Sequence, residues 1–90
     1  MKRLHLIIHG KVQGVFFRDY VKKTADSLDL KGFVKNNSDG TVEVVAEGSE
    51  EKLKKLLDQC RQGSSSSKVD KTEDSWEEAS ASFDSFEIRY

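Results

Sequence analysis

Across the nine residues Gly10–Arg18, Gly-Lys-Val-Gln-Gly-Val-Phe-Phe-Arg, the apolar spacing of this chain changes from a period of two to a helical period. Before that stretch, Leu4, Leu6 and Ile8 share one face, and His5, Ile7 and His9 share the other. Apolar residues on both faces mark a central strand. After it, Phe17, Val21, Thr24, Ala25 and Leu28 follow i, i+4, i+7, i+8 and i+11, one face of a helix turned to a core. A strand over Lys2–His9, a tight loop and a helix from Phe17 are therefore forced on this part of the chain.

The remaining segments extend that order. Lys31–Asn36 reads as a strand, Asn37-Ser-Asp-Gly40 as a turn, and Thr41–Glu47 as the returning strand of a hairpin. Alternation sends Val42, Val44 and Ala46 inward, and Glu43, Val45 and Glu47 outward. Ser49 is placed to cap a second helix. That helix turns Leu53, Leu56, Leu57 and Cys60 to the core, which makes Cys60 a packed small hydrophobe rather than a nucleophile. The serine run Gly63–Ser67 is a loop. Val69–Glu77 is a fourth strand of weak pattern, with Thr72 and Asp74 where apolar residues would serve better and Trp76 restoring the face. Glu77–Asp84 reads as a loose connection and Ser85–Tyr90 as a short final strand.

The order β-α-β-β-α-β plus a terminal strand predicts one α+β domain over residues 1–90. It is the ferredoxin-like sandwich, with two helices on one face of a mainly antiparallel sheet and an extra C-terminal strand. In that topology the first and second strands run the same way, with the third between them. The loop Gly10–Arg18 and Asn36 then come to the same side of the sheet, although they are far apart in sequence.

Charge and cysteine content narrow the function. The formal net charge of −1 leaves no electrostatic footprint for nucleic acid or an acidic membrane. The third strand carries two acids and no stacking aromatics, which argues against an RNA-binding sheet. One cysteine allows no internal disulfide, no apolar run approaches a membrane span, and Met1-Lys-Arg leads straight into a strand. A monomeric cytoplasmic protein is the expectation.

Candidate chemistry sits at the first loop. Gly10 and Gly14 allow positive φ and close backbone approach, so several N–H groups can be aimed at one anion. The helix start adds unpaired N–H groups and the positive end of its dipole. Arg18 falls in the first helical turn, where a planar, permanently charged fork suits a phosphate. The spacing is neither the dinucleotide fingerprint nor the P-loop. Asn36 is either a functional carboxamide facing this loop or a turn-former, and Asn37 is its adjacent rival. His5 and His9 lie on the alternate face from Leu4, Leu6 and Ile8, with no triad partner, and read as structural or exposed. No metal-ligand pattern is present.

The stretch Ile8–Arg18 resembles the first signature of the acylphosphatases. Gly32-Phe-Val-Lys-Asn36, followed by Gly40-Thr-Val42 and Gly48, resembles their second. The likeness covers Leu4–Gly63 well and the tail more loosely. It implies the same fold and a reaction: hydrolysis of acyl phosphates to a carboxylate and inorganic phosphate, without metal, cofactor or covalent intermediate. By position, the resemblance gives Arg18 the phosphoryl group and Asn36 the attacking water. It gives the phosphoryl oxygens to backbone N–H groups of Gln13, Gly14, Val15, Phe16, Phe17 and Arg18. Inorganic phosphate would be product and inhibitor. The alternative is a phosphate- or anion-binding or regulatory module of the same fold without turnover. The chain departs from the family pattern in having Ser38, Ser49, Ser64 and Ser65 where proline is common, and Asp29 where a helix-closing glycine is common. If the last strand runs parallel to the second, Tyr90 arrives at the same end as the loop, and its carboxylate could approach Arg18.

Overall fold

A computed structural model describes residues 1–90. The elements run β1 (Lys2–Lys11), α1 (Phe17–Ser27), β2 (Lys31–Asn36), β3 (Val42–Gly48), α2 (Glu50–Gln62), β4 (Lys68–Glu78) and β5 (Phe86–Arg89). All five strands join one sheet in the order β4-β1-β3-β2-β5. Only β2 and β5 pair in parallel. The inward residues of β1 and β3 and the apolar faces of both helices close one core of 17 buried residues. Each large aliphatic or aromatic side chain fully buried there contributes roughly 1.5–3 kcal/mol. Phe17, Val21 and Ala25 of α1 and Leu53, Leu56, Leu57 and Cys60 of α2 are the helical contribution, as their spacing requires. Burial pushes the Cys60 thiol up to about 12, so it is inert as a nucleophile.

The strand β1 continues past the expected turn. Gly10 is a strand residue, at the point where the pairing of β1 with β4 shifts register. Its φ is +131°, and a Cβ there would lie 2.1 Å from the Lys68 carbonyl oxygen. The glycine thus serves a close strand–strand approach, and the loop proper is Val12–Phe16. The inward polar positions of β4 are also accounted for. Thr72 and Asp74 sit opposite Ile8 and Leu6. Arg61 of α2 reaches over to them, with Nε donating to Thr72 Oγ1 at 3.2 Å and Nη2 lying 3.7 Å from Asp74 Oδ1. Trp76 Nε1 donates to Asp74 Oδ2 at 2.9 Å.

Helix α1 ends in a Schellman motif. Leu30 N–H donates to Ala25 O at 3.0 Å and Asp29 N–H to Asp26 O at 3.1 Å. Asp29 takes the left-handed position with φ +55°. An aspartate tolerates this conformation less well than glycine. Asp29→Gly is therefore expected to stabilise the fold by about 0.5–1 kcal/mol. The corresponding rise in Tm, about 2–8 °C for a domain of this size, is measurable by calorimetry.

Alternation assigns Glu47 to the solvent face, but it is only 5% exposed. The connection after β4 crosses that end of the sheet and is pinned by its carboxylate. Ser80 N–H and Ala81 N–H each donate to Glu47 at 3.1 Å, and Arg3 Nε donates at 2.8 Å. Phe83 packs edge-on against Phe33 with centroids 6.0 Å apart. The segment read as a loose connection is an ordered strap, because a buried carboxylate supplies the acceptors that its backbone needs. Desolvation opposes the charge on Glu47, but the Ser80 N–H and the Arg3 guanidinium outweigh it and hold the carboxyl below its usual range. A depressed carboxyl contributes stability above its unfolded value and loses it as pH falls through the folded one. Glu47→Ala is expected to cost about 2–3 kcal/mol at pH 7 and to lower Tm by roughly 10–20 °C. That difference should shrink as the pH is taken below about 4, which thermal melts across pH 3–7 would measure.

Candidate active site

The loop Val12–Phe16 and the start of α1 carry donors that the protein does not use. None of the N–H groups of Gln13, Gly14, Val15 or Phe16 donates to a protein acceptor. No side chain caps α1, whose Ncap residue is Phe16 at φ 59°, ψ 25°. A helix start left open in this way concentrates partial positive charge. Gly14 takes φ +74° with open space around it, so backbone rather than side chain borders the concavity.

Topology brings Asn36 to the same place. A pocket of about 370 Å³ is lined by Gly14, Phe16, Phe17 and Arg18 from the loop and helix, and by Asn36 from the end of β2. The structure thus joins the two side chains singled out in the sequence, Arg18 and Asn36. Arg18 is half-buried. Its Nη1 donates to Arg89 O at 3.1 Å, and its guanidinium lies 4.6 Å from the centroid of the Tyr90 ring. Nη2 and Nε make no protein hydrogen bond and stay available for a ligand. The C-terminal strand therefore meets Arg18 through a carbonyl and an aromatic face, not through a carboxylate. The parallel pairing of β2 with β5, Lys35 opposite Arg89, is what delivers Tyr90 there.

The two adjacent asparagines have different work. Asn37 N–H donates to Thr41 O at 2.9 Å and its Nδ2 donates to Thr41 Oγ1 at 3.0 Å, so it belongs to the β2–β3 turn. Asn36 Oδ1 is buried and has no hydrogen-bond partner. An orphaned buried amide oxygen is costly unless a ligand or water satisfies it. Gln13 and Val15 do not line the pocket with their side chains. Gln13 Nε2 donates to Asn37 O and Thr41 O, both at 2.8 Å, and ties the loop to the β2–β3 turn. Val15 packs against the core.

Sequence reasoning missed three lining residues. The sequence places Val12 in the loop and Ile88 in the final strand with no site role attached, although strand polarity puts both at the loop end of the sheet. Asp19, in the first turn of α1, also borders the pocket. Its carboxylate complements the empty helix start and opposes an anion, so cation and N–H donors must together outweigh it. His5 and His9 are elsewhere, paired with Glu43 and Glu73 at 2.7 Å each across the face opposite the helices.

A ferredoxin-like sandwich that leaves a helix start, a loop of N–H groups and one guanidinium free at a single pocket is a protein built to hold a small oxyanion. The Acylphosphatase family profile matches residues 4–88. The chain is 44% identical to the acylphosphatase of Dehalococcoides mccartyi strain CBDB1, over the full length of both. It is 45% identical to that of Pyrobaculum aerophilum, over 98% of this chain and 94% of the other. The crystal structure of acylphosphatase from Bacillus subtilis superposes with a TM-score of 0.96 at 38% identity, covering all of both chains. The chain belongs to the acylphosphatase family.

Proposed function

We propose that this protein hydrolyses acyl phosphates to a carboxylate and inorganic phosphate, with Arg18 binding the phosphoryl group and Asn36 positioning the attacking water. The observation that carries the reading is the convergence, at one pocket, of unpaired loop N–H groups, free Arg18 donors and the unpartnered Asn36 Oδ1. N–H groups from Gln13 to Arg18 would hold the phosphoryl oxygens, and Arg18 would gather charge that spreads over them in the transition state. Asn36 Oδ1 accepts a hydrogen bond from water and turns a lone pair toward phosphorus. The P–O bond to the acyl group breaks as the new P–O bond forms. The carboxylate leaves unprotonated, so no general acid is required. An amide is too weak a base to take the water's proton, and a phosphoryl oxygen receives it.

We also read the protein as a monomer of one domain over residues 1–90. A pocket and a core each formed within a single chain support that. A cytoplasmic setting fits a chain whose one cysteine is buried and free. No helix is long and apolar enough to cross a membrane. The test is hydrolysis of benzoyl phosphate with and without a chelator, with inorganic phosphate as competitor. Expected are turnover indifferent to chelation and competitive inhibition by phosphate. Phosphate binding without turnover would instead establish an anion-binding module.

A further inference from the structure

The loop that carries the anion donors has little to hold it in shape. Val12 and Phe17 are buried at its two ends, and Val15 rests on the core. The backbone of residues 12–16 makes one hydrogen bond, from Tyr20 N–H to Phe16 O at 3.2 Å. N–H groups left free for a ligand do not also fix the loop, and Gly14 at φ +74° adds conformational freedom. The Gln13 side chain is the remaining polar tie. Its Nε2 carries two hydrogens and both are used, one on Asn37 O and one on Thr41 O, at 2.8 Å each. Those carbonyls belong to a turn that is itself braced. The N–H and hydroxyl of buried Thr41 both donate to Asp39 Oδ1, at 3.0 and 2.6 Å. Asn37 N–H donates to Thr41 O at 2.9 Å. Asn37 directly follows Asn36, so the clamp closes one residue from the carboxamide that faces the loop.

We propose that Gln13 is a positioning residue: its carboxamide clamps the anion-binding loop to the β2–β3 turn and so fixes the loop N–H groups relative to Asn36. This rests on the acyl phosphate reading above and supplies the device that keeps the two halves of that site in register. Catalysis by positioning needs the donors and the water-holding oxygen in one frame before substrate arrives. Loop and turn leave different strands, and no backbone hydrogen bond joins residues 12–16 to residues 37–41. The Gln13 side chain does not line the pocket, so it acts through the loop and not on the ligand. The clamp also explains the residue type. Two carbonyl oxygens facing one side chain call for two donors on one neutral atom, whereas a carboxylate would set acceptors against acceptors.

The test uses Gln13→Met, which keeps the bulk of the side chain without a donor, and Gln13→Glu, which puts acceptors in place of the amide. Both keep the backbone N–H of residue 13. Read well below each variant's Tm are kcat/KM for benzoyl phosphate and the dissociation constant of inorganic phosphate by calorimetry. Gln13→Met should lower kcat/KM by about 30-fold, near the roughly 10²-fold cost of a displacement of about 1 Å. It should weaken phosphate by about fivefold, because the N–H groups must then be gathered at binding. Gln13→Glu should lose at least as much at neutral pH. Relative to the wild type it should recover in part as the pH falls toward about 4, where the carboxyl takes up a proton and donates again. A side chain that only braced the fold would lower Tm and leave both quantities unmoved. That result in the variants would overturn the clamp, and so would a Gln13→Glu deficit that is flat with pH. If Gln13→Met does not fold, the pH response of Gln13→Glu decides. A protein that hydrolyses no acyl phosphate, yet loses phosphate affinity in these variants, would keep the clamp and remove the hydrolytic reading.

Discussion

Arg18→Ala is expected to lower kcat/KM for acyl phosphate hydrolysis by about 10³-fold or more and to abolish inhibition by inorganic phosphate. The magnitude follows from what the guanidinium is placed to do. It is the one cation lining the pocket, and it shares that lining with Asp19. An arginine that gathers developing charge on a transferring phosphoryl group is worth roughly 10³–10⁵-fold. Removing it leaves the loop N–H groups and the helix dipole to offset the Asp19 carboxylate alone. The fold should survive, because the side chain makes one hydrogen bond, to Arg89 O, and one contact with the Tyr90 ring. Loss of that bond costs about 1 kcal/mol. Arg18→Lys tests the same idea from the other side. It keeps the charge but loses the fork, and should recover only a small part of the rate. Steady-state kinetics with phosphate inhibition, set beside a thermal melt, separates the two effects. Retained phosphate inhibition in Arg18→Ala would mean that the loop backbone binds the anion unaided.

The prominence of Arg18 and Asn36 in the bare sequence has a physical basis. Leu4, Leu6 and Ile8, the Phe17–Val21–Ala25 face and the Leu53–Cys60 face carry strong periods, and strong periods fix element type. Element order then fixes which strand ends share an edge, which is how residues so far apart in sequence reach one pocket. Features that depend on distant packing were not legible. Glu47 follows the outward alternation of β3, and nothing local announces that a strap from beyond β4 covers it. Gly10 reads as a turn residue because positive φ and close backbone approach leave the same mark in a sequence. The division of labour between Asn36 and Asn37 needed side-chain geometry: Asn36 is the last residue of β2 with its Oδ1 buried, while Asn37 opens the turn and bonds to Thr41. The left-handed Phe16 was invisible for a related reason, since aromatic residues carry no preference for that conformation.

That distinction between the asparagines yields the second large effect. Asn36→Ala is expected to reduce kcat by about 10²–10³-fold while KM and the phosphate inhibition constant stay within about threefold. In the proposed mechanism Asn36 Oδ1 acts on the nucleophile rather than on the phosphoryl group, so its loss would be felt in the transition state and little in the ground state. A buried carbonyl oxygen without a protein partner is the acceptor that a water O–H completes. With alanine in its place the water has no fixed orientation, and the rate falls by the cost of finding one. Stability should hold or rise slightly, because an unsatisfied buried oxygen is removed. Asn37→Ala provides the contrast. It breaks the bond to Thr41 Oγ1 and should cost about 1 kcal/mol of stability with kcat little changed. If instead Asn37→Ala abolished turnover and Asn36→Ala did not, the water would have to be held from the turn. The Asn36 oxygen would then be an unexplained cost to the fold, and the convergence of strand ends at the pocket would no longer account for catalysis.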